Sequence, residues 1–281
     1  MRFGFIGAGK VGCSLGKYLV EKGVAIEGYY SRSLQSAKEA ANFTKTRYYS
    51  DMKDLVEQCD GIFITVSDSE IVSVYDMLKQ YISRPVCMIH CSGLKSSEVF
   101  YDISRYHSYG YSIHPLLAIH SKFESYQELS KAIFTIEGSD QCLEELCSIF
   151  RGAGNEVVTI KAQDKVKYHT AAVFSSNLMI ALMQQSFSLF RECGFNTKQA
   201  MQALKPLATS NLEHIFDVGI EAALTGPIER NDMETVKKHR ECLSAGKKQI
   251  YDLLSKELVK IAINKHEDKD YRSLKEMFEM L

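Results

Sequence analysis

"FGFIGAGKVGCSLGKYLVEKG", Phe3 to Gly23, decides the fold. The apolar run before Gly7 reads as a β-strand. Gly7, Gly9 and Gly12 form G-x-G-x-x-G, and Val11, Leu15 and Leu19 then recur every fourth residue, as on one helix face. A second strand begins near Val24. In this strand–turn–helix setting Gly7 permits the tight turn, Gly9 lets the backbone approach a pyrophosphate, and Gly12 allows close helix–strand packing. Ala8, Lys10 and Val11 complete the loop, whose free N–H groups at the helix N-terminus suit phosphate. The alternative is a glycine turn with no ligand.

The end of the second strand selects the cofactor. An acid about 20 residues after the glycines would hold a ribose 2′-hydroxyl. This chain has "YYSRS" instead, with Ser31, Arg32 and Ser33 and no acid. A guanidinium forms a charge-assisted fork on a 2′-phosphate, so the stretch favours NADP(H) over NAD(H). The plainer reading is that a serine caps the next helix while Arg32 points to water.

Residues 1–160 alternate β-rich runs (2–6, 24–30, 61–66, 86–90, 109–113, 132–138 and 156–160) with amphipathic stretches such as 69–82 and 141–150. That pattern predicts a mainly parallel α/β sheet of the Rossmann type. From about Asp164 no strand is expected, and five or six helices follow, the longest from Asp164 to Cys193 with Gly194 ending it. The expected domains are 1–160, binding cofactor, and an all-α 161–281, joined near 160–164. The 281 residues are 45% hydrophobic and 25% charged with net charge −1, which favours neither nucleic acid nor an anionic membrane. The most apolar stretch, Ala171 to Met183, is too short and polar to span a bilayer. Eight scattered cysteines with no C-x-x-C pair predict reduced thiols and a cytoplasmic protein.

In open α/β sheets ligands gather at the carboxyl ends of the strands. "VSDSE" follows the third predicted strand, and Ser67 with Glu70 fits a capping box. Ser67 and Asp68 would also border the cofactor. "HCSG" places His90, Cys91, Ser92 and Gly93 where a nicotinamide is expected, and "IHPL" brings His114 to a neighbouring strand end. The two histidines are substrate-binding candidates, although each alone is as readily structural. His90, Cys91, His114 and His120 match no standard zinc spacing, so no metal is expected.

Within the long helix, Lys165, His169, Ala172 and Ser176 share one face. On an unbroken helix Asn177 lies about 80° around the axis from His169. "ALTGPIERND" then reads as a turn and a helix capped by Asn231 with Glu234 three residues on, leaving Arg230 just before it for an anionic group.

Through "GFIGAGKVG", "YSRS", "HCSG", "HPL", "YHTAAVFSSN" and "ALTGPIERND" the chain resembles the Rossmann-like proteins that carry domain of unknown function 2520. These are similar in build to the 6-phosphogluconate dehydrogenase-like group. The resemblance implies NADP-dependent oxidoreduction, a homodimer through the helical C-terminal domain, and an active site between domains. The Lys-x-x-x-Asn pair of several relatives is absent, since Lys165 is followed four residues on by His169 and Lys167 by Ala171. His169 is therefore the expected proton donor, with Lys165 second and Asn177 or Ser176 orienting a small carbonyl, imine or hydroxy-acid substrate. The competing class is a non-catalytic NADPH-binding sensor or scaffold.

Overall fold

The structure, a computed structural model, describes residues 1–279. The chain divides into two compact units, Met1–Ser176 and Asn177–Leu281. The first holds eight strands: β1 (Arg2–Ile6), β2 (Ala25–Tyr30), β3 (Arg47–Tyr49), β4 (Gly61–Ile64), β5 (Cys87–His90), β6 (Tyr109–Pro115), β7 (Phe134–Gly138) and β8 (Val157–Thr159). Its helices are α1 (Lys10–Glu21), α2 (Leu34–Thr44), α3 (Met52–Glu57), α4 (Ile71–Leu78), α5 (Leu143–Gly152) and α6 (Lys165–Ser175). The second unit holds α7 (Asn177–Glu192), α8 (Thr197–Val218), α9 (Ile220–Ala223), α10 (Met233–Cys242), α11 (Ala245–Lys265) and α12 (Arg272–Glu279).

The sheet order is β3-β2-β1-β4-β5-β6-β7-β8. Strands β1 to β6 are parallel, β7 runs antiparallel to β6, and β8 is parallel to β7. The chain therefore reverses its winding between β1 and β4, the point at which doubly wound sheets bind ligands. Both sheet faces are covered, so central strands are apolar at consecutive residues. In β4, Phe63 joins a core with Phe5, Leu15 and Tyr29, while Ile62 and Ile64 join another with Leu55, Tyr75 and Leu78 on the opposite face.

The structure departs from expectation at several points. The edge strand β3 was not expected; it adds only three residues to β2. The helix expected over 164–193 is two helices, because Ser176 (φ −125°, ψ −80°) leaves helical geometry and its hydroxyl donates back to the Ala172 carbonyl. The join expected at 160–164 lies one helix earlier than the division after Ser176, since α6 packs into the first unit through Lys165 and Tyr168. Gly194 does end α7: with φ +91° it donates to the Arg191 carbonyl, Phe195 donates to Phe190, and their rings meet 5.0 Å apart.

In the second unit Ile228, Val236, Val259, Leu274 and Phe278 form a separate core. Asp232, not Asn231, caps α10, accepting from the Thr235 N–H at 3.0 Å. Asn231 is left-handed (φ 58°) and its amide donates to the Asp270 carbonyl, so the cap falls one residue later than expected. No helix among the described residues is long and apolar enough to cross a membrane.

Candidate active site

The glycine loop is built from backbone. Gly7 has φ +109°, a left-handed conformation that favours glycine. A Cβ on Gly12 would lie 2.5 Å from both the Gly7 carbonyl and Thr65 Oγ1, so only glycine fits there. Thr65, just after β4, donates its hydroxyl to the Gly7 carbonyl at 2.9 Å, and Tyr29 donates to the Gly12 carbonyl at 3.3 Å. Neither brace was foreseen, because only strand pairing brings them to the loop.

The loop fits a pyrophosphate. Gly9, the N-cap of α1, has no side chain to satisfy the helix N–H groups, and the first turn carries no acid. The direction in which Gly9 would carry a Cβ is open for 4 Å. Arg32 extends into solvent with its side chain 88% exposed, and Glu70 lies 3.9 Å away. An exposed pair of this kind contributes little, so the guanidinium remains available to a 2′-phosphate. Ser33 caps α2 by accepting from the Ser36 N–H, while Ser31 stands half-buried beside Arg32. The capping box expected of Ser67 and Glu70 does not form: Ser67 faces Ser69 at 3.3 Å, and Glu70 pairs with Arg32 instead.

A second set of groups occupies the ends of β5 and β6. Ser92 donates to Asp68 at 2.6 Å and accepts from the N–H groups of Leu94 and Lys95, which fixes the turn after β5. His90 is fully buried. Its Nδ1 accepts from the Ser92 N–H at 3.1 Å, so Nε2 carries the proton and donates to the Ser96 carbonyl. Burial lowers its pKa to about 4. His90 is thus a neutral imidazole with both ring nitrogens engaged by backbone. Burial pushes the Cys91 thiol up to about 12, which removes it as a nucleophile.

Helix α6 closes this cluster. The Lys165 ammonium is buried, donating to the Ser92 carbonyl at 2.8 Å and to Ser112 Oγ at 2.7 Å. Burial lowers its pKa to about 8, against the opposing pull of Glu137, Cys91 and Asp68. His114 Nδ1 and the Tyr168 hydroxyl are 2.7 Å apart. A Cβ on Gly93 would fall 2.8 Å from His169 Nδ1 and 3.0 Å from His114 Nε2, so both imidazoles converge on the bare Cα of Gly93. His169 Nδ1 is buried with no hydrogen-bond partner. Lys165, His169 and His114 are therefore brought together. Asn177 and Arg230 belong to the second unit, where both are exposed.

These features define a Rossmann-type dinucleotide-binding protein with a titratable cluster at its strand ends. Residues 2–92 match the family described as NADP oxidoreductase, coenzyme F420-dependent. Residues 132–258 match the domain of unknown function DUF2520. Protein TM1727 from Thermotoga maritima is 24% identical, with 94% of this chain and 99% of that one aligned at TM-score 0.76. Protein BF3122 from Bacteroides fragilis, described as an NADP oxidoreductase, is 21% identical over 92% and 98% of the two chains at TM-score 0.70. Pyrroline carboxylate reductase from Plasmodium falciparum, solved with NADP bound, is 15% identical over 94% and 96% at TM-score 0.60. At these identities the likeness is one of fold. No curated protein matches the chain in sequence.

Proposed function

We propose that the protein is an NADP(H)-dependent oxidoreductase acting on a small carbonyl, imine or hydroxy-acid substrate. The observation that carries this reading is the convergence of two imidazoles on Gly93 at the strand ends of a unit whose glycine loop presents an uncapped helix N-terminus. Cofactor binding alone requires no such cluster.

The loop from Gly7 to Gly12 holds the pyrophosphate on the N–H groups of α1, with Ala8, Gly9, Lys10 and Val11 supplying backbone. Arg32 takes the 2′-phosphate, flanked by Ser31. Ser67, Asp68, Cys91, Ser92 and Gly93 border the nicotinamide, which supplies or accepts the hydride. His169 donates the proton to the substrate oxygen or nitrogen in the reducing direction and accepts it in the oxidising one. It is suited to this because its Nδ1 is shielded and bonded to nothing else. Lys165 fixes the Ser92–Gly93 turn through its two hydrogen bonds, and its positive charge strengthens the field on the developing alkoxide.

The second unit fits a homodimer role. No residue of helix α7 is fully buried. Ile180, Met183, Phe187, Met201 and Leu204 line a groove of about 780 Å³ between α7 and α8, and Ile180 is 69% exposed. A second copy is the partner proposed for this face.

The test is a panel of small aldehydes, ketones, cyclic imines and 2-oxo acids, mixed with the full chain and NADPH and followed by loss of NADPH absorbance. Turnover that disappears in His169→Ala is the expected result. NADPH binding without turnover on any of them would favour a sensor or scaffold.

A further inference from the structure

The antiparallel register of β6 and β7 sets His114 directly opposite Thr135. Helix α6 lays Tyr168 over that pair, with its hydroxyl 2.7 Å from His114 Nδ1 and its ring edge-on to the imidazole. The Thr135 hydroxyl donates to the His114 carbonyl at 3.5 Å. Thr135 is buried. Burial first, then the charge of Lys165 and the neighbouring His169, lowers the His114 pKa to about 4; Asp68 opposes this and His90 adds to it weakly. The ring is therefore neutral near pH 7 and has one acceptor nitrogen.

Which nitrogen accepts follows from the donors. A phenol O–H is a stronger donor than a neutral imidazole N–H, and an imidazole nitrogen is a stronger acceptor than a phenol oxygen, so the phenol donates along the 2.7 Å contact to Nδ1. Nε2 must then carry the imidazole proton. That nitrogen is the one facing the bare Cα of Gly93, beside the unpartnered Nδ1 of His169.

Resting on the oxidoreductase reading above, we propose that His114 is a second hydrogen-bond donor to the substrate atom that His169 protonates. Tyr168 is the positioning residue that fixes His114 as its Nε2–H tautomer. His114 transfers no proton; its N–H bonds to the oxygen lone pair and strengthens as negative charge develops there. The pair of imidazoles favours an oxygen acceptor, since a carbonyl oxygen offers two lone pairs for two donors, whereas an imine nitrogen offers one. The substrate class this selects is a carbonyl compound.

The test reads the tautomer directly. The full chain, labelled with ¹⁵N at histidine, is examined by long-range ¹⁵N–¹H correlation between pH 6 and 8, with and without NADPH. His114 is assigned by its loss in His114→Gln, and His90, locked as Nε2–H by its own contacts, is the internal standard. The expected result is a neutral Nε2–H ring at His114. Tyr168→Phe should enrich the Nδ1–H form about tenfold, the worth of one hydrogen bond, while leaving His90 unchanged. A native His114 protonated on Nδ1, or a Tyr168→Phe spectrum without Nδ1–H enrichment, would overturn the tautomer assignment. With a substrate from the panel, Tyr168→Phe should lower kcat more than it raises KM; a change in KM alone would overturn the donor role. NADPH titration of the same samples separates the two readings. Absent binding counts against the oxidoreductase, whereas a wrong tautomer with intact binding counts against this proposal alone.

Discussion

The glycine loop and the cluster at the ends of β5 and β6 belong to one sheet but are built by opposite means. The loop works through what is missing: no side chain at Gly9, no cap on α1, and no acid in its first turn. The cluster works through what is present: a buried ammonium and an imidazole–phenol pair held by named partners, with the His169 imidazole beside them. Backbone N–H groups attract an anion at any pH and move no protons, so the loop can bind and the cluster can react. Substitutions at the two places should therefore separate binding from chemistry.

The largest expected effect lies at the cluster. His169→Ala should lower kcat by about 10²–10⁴-fold, the usual contribution of a positioned general acid, with NADPH affinity retained. Steady-state kinetics beside a fluorescence titration would check both halves, and an unchanged kcat in a folded variant would remove the proton-donor role.

Acid acts next. The folded-state pKa of His90, about 4, lies below its ordinary value near 6.5, so the unfolded chain binds more protons between those limits. Stability then falls as the pH drops through that window, by on the order of 3 kcal/mol for His90. His114 shifts in the same direction and adds to the loss. Denaturant titrations from pH 7 down to 4 would show it, and a His90→Gln variant should flatten the curve.

At the loop the expected costs are smaller and steric. Gly12→Ala should destabilise the protein by about 1–3 kcal/mol, because the new Cβ meets the Gly7 carbonyl and Thr65 at 2.5 Å. Gly9→Ala meets open space, so it should leave the melting temperature nearly unchanged while weakening NADPH binding. Equal melting temperatures for the two variants would contradict the packing described here. Smallest is Ser33→Ala, a lost helix cap of about 1 kcal/mol by denaturant unfolding.

The same contrast explains what could be read from the sequence. The loop was legible because its requirements are local: glycines at fixed spacing between a strand and a helix. Strands β1, β2 and β4 to β8 announced themselves in the sequence, whereas β3 is three residues of "RYY" on an edge, with too little burial to leave a pattern. The break at Ser176 was hidden, because "AAVFSSNLMIALM" favours helix on both sides. Asn231 and Asp232 are both competent caps, and the choice fell to Asp232 because Asn231 is held left-handed by its bond to the Asp270 carbonyl. Thr65, Tyr29 and Tyr168 could not be found from spacing alone. Each acts through a partner brought near by sheet register or helix docking, from 17 residues away for Tyr29 to 58 for Thr65.

The most direct test of the account is a parallel titration of the full chain with NADPH and NADH, followed by nicotinamide fluorescence, with Arg32→Ala beside it. The account predicts tighter binding of NADPH and a gap of about one to two decades that closes in Arg32→Ala, since a hydrogen bond to a charged group contributes roughly 1.5–3 kcal/mol. Equal affinities in the native chain would contradict the reading of Arg32, and no binding of either nucleotide would contradict the oxidoreductase itself.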